Sequence, residues 1–182
     1  MCGISGLFDP NNRLENSENI VQSMCDLLVH RGPDAQGIQK ESAVTFGHRR
    51  LSIIDTHPGA NQPMTDASGR YLLTYNGEIY NFKDLREQLQ QLGVIFKTNS
   101  DTEVVVAAWS KWGIDCLQKF VGMFAFALFD KKTQDLFLVR DRLGEKPLFY
   151  AYFDPLSPQS GLAFSSGLPS LMACPLFEKE IN

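Results

Sequence analysis

Apolar positions along this chain follow two periods, and the changes between them mark out the elements. Residues 2–8 form a run of small and apolar residues that reads as a strand. Over 17–30 the spacing becomes helical, with Ile20, Met24, Leu27 and Leu28 on one face. Arg31-Gly32-Pro33-Asp34 ends that helix, because Gly and Pro both oppose its continuation. Residues 36–54 divide into two or three short strands, followed by a loop with Pro58, Gly59 and Pro63. Residues 71–75 predict a strand, and Asn76-Gly77 a turn directly after it.

Helical spacing returns over 82–92, where Leu85, Leu89 and Leu92 share a face, Asn81 stands at the cap and Gly93 at the stop. A further helix is predicted over 101–112. Ser100-Asp101-Thr102-Glu103 has the form of a capping box before it, Gly113 closes it, and a short helix follows near 115–120. The remainder is strand-like. Residues 122–129 and 135–140 flank a polar turn, and 148–153 and 162–165 flank 154–161, giving two hairpins and antiparallel pairing. The class is therefore α+β, antiparallel sheets with helices packed on them.

A length of 182 residues suits one domain, 1–182, with its own core. The net charge of -4 disfavours nucleic acid and anionic membranes as partners. No apolar run reaches the roughly 18 residues of a membrane span, and the N-terminus lacks a secretory pattern, so the expected location is cytoplasmic. Cys2, Cys25, Cys116 and Cys174 are widely and irregularly spaced, so no metal site and no disulfide framework is expected.

Cys2 is the first candidate for chemistry. Removal of Met1 leaves a thiol and a free α-amine on one residue, and an α-amine titrates near about 7.7–8.0. It can therefore serve as the base for its own thiol. A free amino acid with an amide in its side chain needs a cation for its carboxylate, acids for its ammonium and donors for the oxyanion of its attacked amide. Arg50 can grip the carboxylate through two parallel hydrogen bonds. Asn76 and Gly77 offer a side-chain amide and a backbone N–H. Glu78 and Asp101 can take the ammonium. Singly, each has a plainer explanation: a packed small thiol, a surface arginine, a turn, an acid favoured at a helix start.

Together these segments are similar to the class II, N-terminal-nucleophile glutamine amidotransferases, above all the glutaminase domain of asparagine synthetases. The matching stretches include Met1-Cys2-Gly3-Ile4, His30-Arg31-Gly32-Pro33-Asp34, His48-Arg49-Arg50-Leu51-Ser52-Ile53-Ile54-Asp55 and Tyr75-Asn76-Gly77-Glu78-Ile79-Tyr80-Asn81. Ser100-Asp101-Thr102-Glu103, Gly122-Met123-Phe124-Ala125-Phe126-Ala127 and Arg140-Asp141-Arg142-Leu143-Gly144 complete the set, which runs from residue 1 to about 165. The resemblance implies a four-layer αββα Ntn-hydrolase sandwich of two antiparallel sheets flanked by helices. It also implies Cys2 as nucleophile, Asn76 and Gly77 as oxyanion hole, and Arg50 as carboxylate clamp with backbone at Ile53 and Ile54. Glu78 and Asp101 become the ammonium contacts.

The implied substrate is L-glutamine, and the implied partner is a synthetase domain that accepts the ammonia. This domain itself is expected to need no cofactor. ATP and Mg are expected only in the synthetase domain, whose pyrophosphate loop has no counterpart in this sequence. A homodimer stays open. Two other readings stand beside this one: a different ammonia acceptor, such as a sugar or phosphoribosyl group, and a non-catalytic docking domain. His30, His48 and His57 show no local pairing with a cysteine. Cys25, Cys116, Cys174, Trp109 and Trp112 read as structural, and Gly3-Ile4-Ser5-Gly6 lacks the lysine and spacing of a phosphate loop.

Overall fold

The computed structural model describes residues 1–153 and 161–176. Nine strands form two antiparallel sheets among the described residues. One sheet contains β1 (Gly3–Phe8), β2 (Ala35–Glu41), β3 (Val44–Arg50), β8 (Phe149–Phe153) and β9 (Gly161–Ser165), in the order β2-β3-β1-β9-β8. The other contains β4 (Met64–Thr65), β5 (Tyr71–Ile79), β6 (Gly122–Asp130) and β7 (Asp135–Arg140), in the order β4-β5-β6-β7. Helices α1 (Ser17–Asp26) and α4 (Leu168–Met172) cover the first sheet, while α2 (Phe82–Gln91) and α3 (Asp101–Trp112) cover the second. This is the four-layer sandwich that the family resemblance implied.

Strand alternation sorts side chains into three cores. On β6, Phe124, Phe126 and Leu128 face α2 and α3 with Val104, Val105 and Trp109, whereas Ala127 and Phe129 face the other sheet. On β9, Leu162 and Phe164 meet that central layer, and Ala163 faces α1 with Val21 and Met24. Each fully buried Leu or Phe contributes about 1.5–3 kcal/mol. Trp109 and Cys25 are core residues, as expected, while Lys119 lies 4.9 Å over the Trp112 ring.

Several elements depart from expectation. Asn76 and Gly77 make no turn; they lie within β5, paired with Ala125 and Phe124 of β6. A nine-residue partner strand overrides the turn preference of the dipeptide. Gly77 is needed for packing, since a Cβ there would come 2.5 Å from the Met123 carbonyl. Helix α1 ends at Asp26, and i−3 backbone bonds carry the chain through Leu28, Arg31 and Gly32, leaving Leu27 exposed. Gly32 fits there because a Cβ would meet the Arg49 backbone at 2.4 Å. Residues 36–54 hold two strands, and 51–54 run irregularly out of β3.

The caps were half legible. Ser100 accepts from the Glu103 N–H, but the Glu103 carboxylate turns to the N–H groups of Lys97 and Thr98. Asn81 precedes α2 without capping it, using its side chain on Lys119 and Val121 instead. Gly93 and Gly113 close α2 and α3 at φ 84° and 60°. The short helix near 115–120 is a 3-10 segment at Gly113–Gln118. β8 and β9 pair as foreseen, while the connection at 154–160 lies outside the described residues. No helix among the described residues is long and apolar enough to cross a membrane.

Candidate active site

Cys2, Arg50, Ile53, Ile54, Asn76, Gly77, Glu78 and Asp101 all line one cavity of about 110 Å³, where the ends of β1, β3 and β5 meet the start of α3. That is small beside the roughly 300–1,000 Å³ of ordinary ligand pockets. Met1 forms part of its wall, so loss of Met1 enlarges it. A larger cavity, about 680 Å³, lies between 64–68 and α3. Its carboxylates are already engaged: Asp66 binds Ser68, Tyr71 and Ser110, and Glu103 binds the 97–98 backbone.

Pairing of Gly3 with Arg49 places Cys2 beside Leu51. The Leu51 N–H donates to the Cys2 Sγ at 3.4 Å, and the thiol faces the Leu51 carbonyl at 3.7 Å. Burial pushes the Cys2 thiol above its ordinary range, and Asp101 adds to that. The Leu51 contact, the chain's terminal ammonium and Arg50 oppose it. Such a thiol needs a base to become a nucleophile. Arg31, which the sequence reading assigned no role, donates from Nε to the Cys2 carbonyl at 3.2 Å and leaves Nη2 buried without a partner.

Arg50 is buried at the end of β3, and the 55–61 loop folds around its guanidinium. Nη1 donates to the His57 carbonyl at 3.1 Å and to the Asn61 Oδ1 at 2.8 Å, and Nη2 donates to the Asp55 carbonyl. Three of the five guanidinium N–H groups are thus used. Among the described residues Nε and one N–H of Nη2 keep no partner, the pair of donors a carboxylate can take.

The outer edge of β5 supplies the other donors. Phe124, opposite Gly77, turns both its N–H and its carbonyl to Asp141 on the far side of β6. Gly77 therefore points its own N–H away from β6, as do Tyr75 and Ile79. The Tyr75 N–H goes to the Gln62 Oε1 at 2.6 Å and the Ile79 N–H to the Asp101 Oδ2 at 3.2 Å. Between them β4 has already ended, at the pairing of Met64 with Leu73, so no strand covers Gly77. The Asn76 Nδ2 is likewise buried without a partner. The half-buried Gly77 thus presents its N–H beside an unpaired, buried side-chain donor, and such unpaired buried groups are uncommon.

Asp101 opens α3 and accepts from the Tyr75 hydroxyl at 2.7 Å; burial pushes its carboxyl up despite these bonds. Glu78 is exposed at the rim, and Ile53 is 71% exposed. No histidine lines the cavity. His48 is buried on Tyr75, its Nε2 3.1 Å from that carbonyl, and burial lowers it to about 3. Its folded value lies below the reference of about 6.5, so between these limits the unfolded chain binds the extra proton. Stability should then fall with decreasing pH below about 6.5, by up to about 1.4 kcal/mol per pH unit from this group. Urea unfolding at about pH 7 and 5 should show a shallower loss for His48→Gln; an unchanged slope would mean His48 is not held neutral.

The sandwich superimposes on glutamine phosphoribosylpyrophosphate amidotransferase from Bacillus subtilis with a TM-score of 0.78 at 20% identity. That match covers 94% of this chain and 43% of the other, and shows a shared fold. The chain belongs to the glutamine amidotransferase domain family, which matches it over residues 1–182. Asparagine synthetase [glutamine-hydrolyzing] 3 of Bacillus subtilis is 40% identical, covering 100% of this chain and 29% of that protein. A putative asparagine synthetase [glutamine-hydrolyzing] of Mycobacterium tuberculosis is 45% identical over 83% of this chain and 25% of its own length. The amidase chry2 of Gibberella zeae is 37% identical over 82% and 24%. The chain thus spans about a quarter to a third of the curated relatives it matches.

Proposed function

We propose that this domain hydrolyses glutamine to glutamate and ammonia through a thioester on Cys2, after loss of Met1. The observation that carries the reading is the single cavity that joins the Cys2 thiol, the Arg50 guanidinium, the unpaired Asn76 Nδ2 and Gly77. Glutamine enters with its carboxylate on Arg50, bordered by Ile53 and Ile54, and its ammonium toward Asp101 and Glu78. The Cys2 thiol gives its proton to its own α-amine, and the sulfur attacks the side-chain carbonyl carbon. Asn76 and Gly77 hold the oxyanion. The amine then passes its proton to the departing nitrogen, the C–N bond breaks and ammonia leaves a glutamyl thioester. Water, giving a proton to the same amine, attacks the thioester; the C–S bond breaks and glutamate and the thiol are regenerated.

The relatives named as glutamine-hydrolysing asparagine synthetases support aspartate as the eventual acceptor, amidated by a synthetase domain that uses ATP and magnesium. A shielded path to that domain would keep the ammonia from being protonated by water. The cytoplasm suits the chemistry, since none of the four cysteines pairs with another.

A diazoketone analogue of glutamine should add once per chain, on Cys2, in protein whose intact mass shows Met1 removed. Labelling confined to Cys25, Cys116 or Cys174, or none at all, would favour a non-catalytic docking domain.

A further inference from the structure

Lys146 is a buried cation in the cavity with no part in the chemistry above. Its residue is 3% exposed, and it lines the same wall as Met1 and Cys2. The backbone beneath it is pinned. Asp141 accepts from the N–H groups of Phe124, Leu143, Glu145 and Lys146, and the Arg140 Nε donates to the Lys146 carbonyl at 2.7 Å. The Lys146 Nζ lies 3.0 Å from the Met1 Sδ, and among the described residues it has no other acceptor and no carboxylate partner. A thioether is a weak acceptor, and burying an ammonium against one is costly. Met1 is also the residue whose departure creates the nucleophile's amine.

We propose that Lys146 positions the charge state of the N-terminal nucleophile: with Met1 gone, its ammonium faces the Cys2 α-amine and holds that amine in its neutral, base form. The inference rests on the reading of Cys2 given above. A like charge nearby disfavours protonation of an amine, and a water-poor cavity strengthens the effect. Lys146 sits within one methionine side chain of the new terminus. Arg50 across the cavity and Arg31, on the Cys2 carbonyl, act in the same direction. Asp101, Glu78 and Asp55 act in the opposite one, and the Tyr75 phenol, pushed far up by burial, stays neutral. Lys146 is the cation among these that the loss of Met1 newly exposes to the amine.

The test is the pH dependence of kcat/KM for glutamate release by Met1-free protein. Lys146→Met keeps length and apolar bulk without charge, and Lys146→Arg keeps the charge. The acid limb of the Lys146→Met profile should move up by about one pH unit, which is about tenfold lower activity near pH 6.5, with rates converging near pH 9. Lys146→Arg should retain the original limb. A Lys146→Met protein with an unshifted profile, or with equal loss at every pH, overturns the proposal, provided far-UV circular dichroism shows it folded. Absence of glutamate release from the unsubstituted protein would overturn the glutaminase reading instead.

Discussion

Cys2→Ala is expected to abolish glutamine hydrolysis, by at least about 10⁴-fold, while the fold persists. The rate loss follows because no other thiol reaches the cavity: Cys25, Cys116 and Cys174 are buried in the cores. The fold persists because the Cys2 side chain belongs to none of those cores, and its recorded contacts are with the Leu51 backbone. Glutamate production read beside the thermal midpoint separates the two effects. A companion protein with a residue retained ahead of Cys2 keeps the thiol and loses the amine, and it should be comparably inactive. Full turnover by that protein would exclude the amine as base.

Asn76→Ala should lower kcat by about 10²–10³-fold with little change in KM, the signature of a contact made as the oxyanion forms. Arg50→Leu should do the reverse first, raising KM, because the carboxylate is bound equally before and during reaction. The Asn76 substitution has a second consequence of opposite sign. Its Nδ2 is buried without a partner, so removing it relieves an unsatisfied donor, and the variant should unfold at no lower urea than the parent. Steady-state kinetics with denaturant titration checks both. A raised KM at unchanged kcat would make Asn76 a binding contact.

Much of this arrangement could be read from local signals. Ser100 before α3, the glycines at 93 and 113 and both hairpins obey short-range rules, and they lie where those rules put them. The eight candidate residues meet because their motifs fall at the ends of β1, β3, β5 and the start of α3, and the sandwich gathers those ends. What escaped was non-local. Asn76-Gly77 reads as a turn until β6, more than 40 residues on, supplies its ladder. Lys146 carries no local signal, since nothing beside it in sequence shows that Asp141 will tuck its loop inward. Arg31 has no role legible in the sequence until folding sets it against Cys2.

Cys2, the proposed nucleophile, leads into one sheet, and Asn76 and Gly77, the proposed oxyanion donors, lie on the other. Their alignment is inherited from the layer between, where Ile4, Phe46 and Phe164 meet Leu72, Ala127 and Phe129. Trimming that layer lets the sheets reseat by fractions of an ångström while each keeps its own hydrogen-bonded ladder. A misplacement of about 1 Å can lower a rate about 100-fold. Turnover is therefore a finer gauge of how the two halves are seated than melting temperature, and filler residues far from glutamine set the quality of the catalyst.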